Sequence, residues 1–446
     1  MKKLLYITYV FPPTGGAGIQ RNVKFIKYLA RMGWEITVLT PRNPSVPTID
    51  NSFSKDIPQA VDVKYTRTLE PDYSVKQRVR SNVGKPQTEK STNISSAIVK
   101  AVKMMAQSIL LPDVQVLWSI PSFLPAISVI NKKNIDVIFS SAPPFSSLVF
   151  ASWLSRITGV PYVADFRDEW VDFIDKYYDS HKKVFGRGIV RRMEEKVVKH
   201  AAAVTMASPS YVENLRKKYT ISSDNIFEIT NGFDVEDYTP DLFENNAYRS
   251  GKLTIGYFGS VINANTAHYF LEACRRLLTR KPEYKEQIAV HFTGRISADE
   301  NVRIEEYLDD VPIVRHGYME HSEVIRMMKQ TDVLLVLVDD LPGAERMISG
   351  KIFEYLYSRK TVLAVVPQGG EVDRIVRTVG CGISCPPRDM EKIGQAVEAL
   401  ILRWEQGKLN QGNSANENLI QAYSREVLAS RLSNILQYAS GNNSRK

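Results

Sequence analysis

Two side chains of opposite charge, Lys351 and Glu354, stand three positions apart in the stretch ERMISGKIFEYLYSRKTVLAVV, residues 345–366. Ser349 and Gly350 precede them where the pattern starts a helix, so the first amides, those of Ser349, Gly350, Lys351 and Ile352, lack partners within the helix and suit a diphosphate. Lys351 adds a positive charge at the same end. That charge opposes the helix dipole and costs stability unless an anion is present. Glu354 lies one turn further in, where a carboxylate can accept hydrogen bonds from two vicinal hydroxyls such as those of a ribose. The plainer alternative is a surface ion pair three residues apart, contributing about 0.2–0.5 kcal/mol.

Three other segments carry residue types suited to a ligand. In FPPTGGAGIQR (11–21) a strand gives way to Gly15, Gly16 and Gly18 and then to a helix. Glycines let backbone N–H groups approach a bound group closely, and the helix start favours an anion. The spacing is not that of the dinucleotide fingerprint, and no acidic residue clearly ends the second strand about 20 positions on, which argues against NAD. A tight turn is the alternative. In ADFRDEW (164–170) a hydrophobic strand runs into Asp165, Arg167 and Asp168, which reads as a ligand cluster, an internal Asp–Arg pair, or both. GYFGS (256–260) and HFTGR (291–295) each end a strand in glycine, at Gly259 beside Ser260 and at Gly294 beside Arg295. Arg295 can hold a phosphate through two donors, or sit in a solvated loop.

These residues need a scaffold, and the sequence supplies an alternation of strand-like and helix-like runs. Strands are expected at 3–11, 34–40, 135–141, 161–166 and 202–208, with a helix at 19–33 whose apolar residues recur every three or four positions. A second series has strands at 253–260, 288–294, 333–338 and 361–366. Repeated β-α-β units argue for parallel sheets with helices on both faces. The polar, turn-rich stretch 235–252 separates the two series, which gives two doubly wound domains. Open parallel sheets bind ligands beyond the carboxyl ends of their strands, so the expected site lies in a cleft between the domains.

The 446 residues exceed what one ordinary core organises. No run of 18 apolar residues suggests a transmembrane helix, and the apolar N-terminus, broken by Thr8 and Pro12-Pro13, reads as a strand rather than a signal peptide. Cys274, Cys381 and Cys385 are too few and too scattered for a disulfide framework or a metal site, which suits a reducing cytoplasm. Asp339-Asp340 in LVDDLP reads as a strand-end loop rather than a metal pair. The net charge of +9 is uneven: residues 1–200 hold 29 basic and 17 acidic side chains, and residues 201–446 hold 29 and 32. A basic first half points to an anionic partner. With no nucleic-acid motif in the chain, an anionic membrane surface is favoured over nucleic acid. The insertion at 67–112 fits this idea, since Lys76 to Lys103 carries seven basic residues and one acidic one. Residues 76–111 read either as a basic amphipathic segment on a bilayer or as a loop leading into a packed helix.

Taken together these segments resemble the GT-B glycosyltransferases, and within them the retaining enzymes of glycosyltransferase family four, in a bacterial polysaccharide-type subgroup. YVFPPTGGAGIQR, LPDVQVLW, VIFSSAPPFSS and ADFRDEW resemble the first domain, ITNGFD (229–234) the entry to the hinge, and GYFGS, KIFEYLYSRKTVLAV and GGEV the donor domain. AYSREVLASRLSNIL (422–436) resembles the closing helix that crosses back to the first domain. The resemblance implies domains at 1–238 and 253–420 around a hinge at 239–252. It assigns Glu354 to the donor ribose, as the second Glu of an E-x7-E motif. Gly15, Gly16 and Gly18 fall near the transferred sugar, its phosphates and the acceptor. The sequence departs from the pattern in three places. Eight residues before Glu354 stands Arg346, with Glu345 one place off. Ser260 and Asn265 replace the family's Arg and Lys after the first donor-domain strand, and SSAPPFSS lacks a histidine. Lys351 and Arg295 are the expected replacements for diphosphate, and a register shift would return Glu345 to the sugar.

The expectation is a cytoplasmic, metal-independent, retaining glycosyltransferase at the inner membrane face. It would use a nucleotide-sugar, on family grounds a UDP-sugar, and a polysaccharide or lipid-linked saccharide acceptor. Donor contacts are expected from Gly259, Ser260, Arg295, Ser349, Gly350, Lys351, Ile352 and Glu354, with Asp168, Arg167 and Glu345 near the reacting groups. Two other readings fit the same motifs: a sugar-nucleotide 2-epimerase of this fold, and a non-catalytic nucleotide-sugar-binding subunit.

Overall fold

The computed structural model describes residues 1–15, 18–46, 49–76, 110–172, 187–219, 223–238, 251–409 and 416–441. Most of the basic insertion, most of the expected hinge and Gly16 lie outside these residues. The chain divides into two compact units: Met1–Ala207 with Tyr211–Ile229 and Ala429–Lys446, and Thr230–Leu428 with Ser208–Ser210.

The first unit is built on seven parallel strands: β1 (Lys3–Ile7), β2 (Glu35–Pro41), β3 (Asp62–Thr66), β4 (Val137–Ala142), β5 (Tyr162–Phe166), β6 (Ala203–Met206) and β7 (Ile226–Glu228). Their order, β3-β2-β1-β4-β5-β6-β7, reverses between β1 and β4. Tyr6 of β1 pairs with Val38 on one side and Phe139 on the other. The central strands are apolar on both faces, as a sheet covered on both sides requires. Leu5, Ile7, Ile138, Ala142 and Ala164 form one core with the helices Val116–Lys133, Ser146–Thr158 and Arg187–His200. The last helix, Arg425–Gly441, joins this unit from Ala429 onward. There Ser433 Oγ accepts a bond from the Trp34 indole at 2.8 Å.

The second unit carries six parallel strands: β8 (Leu253–Phe258), β9 (Ile288–Thr293), β10 (Ile313–Gly317), β11 (Val333–Leu337), β12 (Thr361–Val365) and β13 (Gly382–Cys385). Their order, β10-β9-β8-β11-β12-β13, places the reversal between β8 and β11. Phe233 and Tyr238, ahead of β8, belong to this unit's core and pack on Tyr357, with ring centroids 4.4 and 4.6 Å away. Gly232 is the glycine of NGF because a Cβ there would run into the Tyr423 carbonyl. Next to it, Phe233 N–H donates to Tyr423 O and Arg425 N–H to Phe233 O, at 3.2 and 2.8 Å.

The structure has four strands that the pattern does not predict. β3 is half-exposed, β7 has three residues, β10 is an edge strand and β13 has four residues. None is long or apolar enough to announce itself. β1 ends at Ile7, four residues short of the expected limit. Thr8 N–H still donates to Leu39 O at 3.1 Å, and beyond it the Asn22 amide holds the chain instead of a neighbouring strand, donating to Thr8 Oγ1 at 2.9 Å and to Val10 O at 2.8 Å.

Candidate active site

In the second unit the chain beyond β8 turns through Gly259, at φ +139°, and its neighbour beyond β9 turns through Gly294, at φ +127°. Both lie in the backbone region that favours glycine. The two touch through their main chains, and a Cβ on Gly294 would collide with the Gly259 carbonyl. Gly259 N–H donates to Thr293 O and Val261 N–H to Arg295 O, each at 2.8 Å, which extends the β8–β9 pairing past the strands. On the other side of the reversal point, Asp339 N–H donates to Ala264 O at 2.9 Å, joining the loops after β11 and β8. Asp339 Oδ1 lies 3.5 Å from Arg388, so LVDDLP is an internally paired strand-end loop. Among the described residues no three His, Cys, Asp or Glu side chains converge on a metal position.

The helix Lys351–Ser358 presents Lys351 to this crevice. Its anchor is Tyr355, buried, whose hydroxyl accepts from Phe258 N–H at 3.1 Å and donates to Leu335 O at 3.4 Å. Lys351, one turn earlier on the same face, therefore points at the end of β8. Its Nζ lies 3.6 Å from the centroid of the Tyr257 ring, and a Cβ on Gly259 would fall 2.8 Å from that nitrogen. No hydrogen bond or ion pair to Lys351 occurs among the described residues. Burial pushes the lysine down to about 7, and the nearby charge of Glu354 only partly offsets this. The helix start carries no side-chain cap, and Gly350 leaves its first turn open.

Glu354 makes no ion pair with Lys351, so the surface pair does not form; the carboxylate turns to His321 instead. Its Oε1 is 3.6 Å from His321 Nε2, which also lies 3.5 Å from Asp237. The Tyr238 hydroxyl donates to the Glu354 carbonyl at 3.3 Å. His321 and Asp237 are 33 and 117 positions from Glu354, and no sequence spacing links them. Glu345 and Arg346 form a 3-10 turn in which Arg346 pairs with Glu345 at 3.0 Å. The Glu345 side chain is exposed, and its backbone lies close to Gly370. Ser349 O accepts from Ile352 N–H at 3.1 Å. Ser260 is exposed, and its carbonyl accepts from the Tyr257 hydroxyl at 2.8 Å. Arg295 is exposed, and its guanidinium lies over Tyr318, 5.8 Å from the ring centroid.

In the first unit, ADFRDEW divides its charges between structure and surface. Asp165 is fully buried and takes both its bonds to Arg21, at 2.7 and 3.0 Å, with Ser141 and Thr205 hydroxyls at 2.7 and 2.6 Å. Burial alone would raise this carboxyl, but the Arg21 charge and the hydrogen bonds outweigh it and hold it below its ordinary value. The internal Asp–Arg pair therefore exists, with Arg21 as the partner instead of the adjacent Arg167. Arg167 is committed to backbone. It donates to Gly18 O at 2.8 Å, to Ala142 O at 3.2 Å and to Pro143 O, and a Cβ on Gly18 would strike its guanidinium. This one side chain ties the helix Gly18–Arg31 to the end of β4, across the reversal point of the sheet. Asp168 is half-buried beside it, and Gly15 ends the described part of the loop.

Comparison with known proteins agrees with this geometry. The family model described as Glycosyltransferase Family 4 matches residues 98–237, and that of Glycosyl transferases group 1 matches residues 252–403. No curated protein is matched by the chain's sequence. Among solved structures, Anabaena HepE in complex with UDP and glucose is 13% identical, with a TM-score of 0.63, over 98% of this chain and 100% of that one. The α,α-trehalose 6-phosphate synthase of Burkholderia multivorans is 12% identical, with a TM-score of 0.64, over 99% and 98%. WaaG, a glycosyltransferase involved in lipopolysaccharide biosynthesis, is 11% identical, with a TM-score of 0.63, over 97% and 99%. At such identities the likeness speaks for the fold. With one matched family domain for each parallel-sheet unit, the chain belongs to the GT-B glycosyltransferases, the family 4 domain first and the group 1 domain second.

Proposed function

We propose that the protein is a retaining glycosyltransferase that takes its sugar from a UDP-sugar and passes it to a hydroxyl of a polysaccharide or lipid-linked saccharide. The observation that carries this reading is Lys351: a half-buried ammonium with no ion pair among the described residues, beside the uncapped start of its helix and the Gly259–Gly294 contact. A diphosphate seated there receives the Lys351 charge, the amides from Ser349 to Lys351, and the close approach allowed by Gly259; the Ile352 amide is already bonded to Ser349 O. Ser260 and Arg295 flank it, and Glu354 holds the ribose hydroxyls. HepE was crystallised with UDP and glucose, which favours the same donor class here.

In the reaction the bond from the sugar's anomeric carbon to the diphosphate oxygen breaks and one to the acceptor oxygen forms on the same face. The acceptor proton leaves with the departing phosphate. The developing negative charge is met by the lysine and the amides, groups fixed before the charge appears, without need of a metal. Glu345 contacts the donor sugar and Asp168 the acceptor hydroxyl. Arg167 acts by positioning Gly18, where its helix begins.

Thermal-shift measurement against UDP, GDP, ADP and their sugars tests the donor class, with stabilisation by UDP and UDP-sugars expected. A UDP-sugar incubated without acceptor then stays intact apart from slow hydrolysis. Rapid interconversion to another sugar nucleotide would identify an epimerase instead, and failure to bind any nucleotide would overturn the reading.

A further inference from the structure

Glu354 is surrounded by parts of the second unit that lie far from it in sequence. The short turn Val235–Asp237 begins at Asp234, whose side chain accepts from Glu236 N–H at 3.1 Å. Two rings then tie the turn to the helix Lys351–Ser358. Phe233 stacks on Tyr357 within 19° of parallel, and Tyr238 meets the same ring edge-on. The Tyr238 hydroxyl donates to the Glu354 carbonyl at 3.3 Å. Asp237 is carried on this turn, and it meets His321, the first residue of the helix His321–Gln330.

One nitrogen of that imidazole faces both carboxylates. Nε2 of His321 lies 3.5 Å from Asp237 Oδ2 and 3.6 Å from Glu354 Oε1, and the three side chains are 13–14% exposed. Charges so enclosed are only weakly screened. The helix itself does not depend on this contact, because Tyr355 already ties it to Phe258 and Leu335, and Tyr238 to the turn. What His321 holds is the side chain of Glu354. A carboxylate that is to accept from two adjacent hydroxyls must keep its plane, yet a glutamate left to itself samples several rotamers. The imidazole at Oε1 restricts that rotation and leaves Oε2 and a further lone pair of Oε1 for a ligand. Asp237 restricts the imidazole in turn, as a third group orients the base in a catalytic triad.

We infer that His321 and Asp237 are positioning residues that set the Glu354 carboxylate to receive a ribose diol, and that they thereby govern the preference for a ribonucleotide over a 2′-deoxyribonucleotide. This role rests on the proposed assignment of Glu354 to the donor ribose. Neither residue touches the substrate. Both act through Glu354, so their effect vanishes once that carboxylate is gone. A 2′-deoxyribose offers one hydroxyl to a carboxylate arranged for two and leaves an oxygen unpaired, which is the basis of the preference.

Calorimetry of the full-length protein with UDP, 2′-deoxy-UDP and inorganic diphosphate tests this. The wild type should bind UDP more tightly than 2′-deoxy-UDP by about tenfold or more. His321→Ala and Asp237→Asn should each weaken UDP binding roughly tenfold, within the hundredfold or so that a misplacement of about 1 Å can cost. Both should narrow the preference for UDP and leave inorganic diphosphate binding unchanged. His321→Gln keeps an N–H donor near the place of Nε2 and should recover part of the loss. His321→Ala added to Glu354→Ala should bind UDP as Glu354→Ala does alone, the non-additivity of residues acting through one group. Melting temperatures check that each variant folds, and if His321→Ala does not, Asp237→Asn and His321→Gln carry the comparison. An unchanged preference in the variants, equal losses for UDP and inorganic diphosphate, or additive losses in the double variant would make the cluster a structural clip and overturn the inference. Full UDP affinity in His321→Ala and Asp237→Asn, with Glu354→Ala impaired, would overturn it and leave the donor reading standing. A wild type that binds no nucleotide would overturn both.

Discussion

Replacing Lys351 by methionine should make the empty protein more stable and the nucleotide-bound one weaker. A lysine moved from its ordinary 10.5 to about 7 carries a destabilisation of about 5 kcal/mol, at roughly 1.4 kcal/mol for each tenfold change in proton affinity. The sign follows from proton counting. The unfolded chain keeps this proton up to about pH 10.5 and the folded chain gives it up near 7. Between those values the unfolded state binds more protons, so stability rises with pH across the window. Below about 7 the whole cost is present. Lys351→Met removes both the cost and this part of the pH dependence, and urea denaturation at pH 6, 7.5 and 9 measures each. A diphosphate restores the proton, so UDP binding at pH 8 takes up close to one proton, and its dissociation constant rises toward tenfold per pH unit above 7. Calorimetry in buffers of different ionisation enthalpy counts that proton. In the methionine variant UDP affinity falls by about 1.5–3 kcal/mol, the range for hydrogen bonds to charged groups. The same binding enthalpy in every buffer, or undiminished UDP affinity in the variant, would refute the assignment of Lys351 to the diphosphate.

Other outcomes follow from the same geometry. Glu354→Ala should weaken UDP binding by about 1.5–3 kcal/mol while leaving inorganic diphosphate binding unchanged, since the lost bonds are to ribose. His321→Ala, acting through the Glu354 carboxylate, should raise the KM for the donor with a smaller change in kcat. Arg21→Ala strands the buried Asp165 carboxylate and should cost about 3–5 kcal/mol in chemical denaturation. Arg21→Ala paired with Asp165→Ala should recover part of that loss. Gly294→Ala should lower the melting temperature and abolish UDP binding, because the added methyl group pushes the Gly259 carbonyl out of place.

The sheets were legible because buried parallel strands such as VLLVL and TVLAV are unbroken apolar runs. Edge strands were not, since IVRHG and GISC mix polar and small residues and are ordered by their neighbours. At the candidate site, the glycines and the Lys351–Glu354 helix stood out because their constraints are local: a left-handed turn, or a charge opposing a dipole. The partners of those groups did not. Asp165 sits two residues from Arg167, yet it pairs with Arg21, 144 positions away. Arg167, whose charge suggested a ligand, is spent on three carbonyls. Glu354 acquires His321 and Asp237 only through folding. Charge type and position are visible in a sequence, but which opposite charge satisfies them is decided by topology.

The contact between Gly259 and Gly294 bears on how such a protein can change its donor. Because main chain meets main chain, no compensating side-chain replacement can make room for a Cβ at Gly294, and the floor beneath the proposed diphosphate is effectively frozen. Variation is left to the segment from Glu345 to Gly350, where Ile348 is held in the core but the Glu345 side chain is exposed. A change of transferred sugar during divergence, or by laboratory selection, should therefore accumulate in that segment and leave the two glycines untouched.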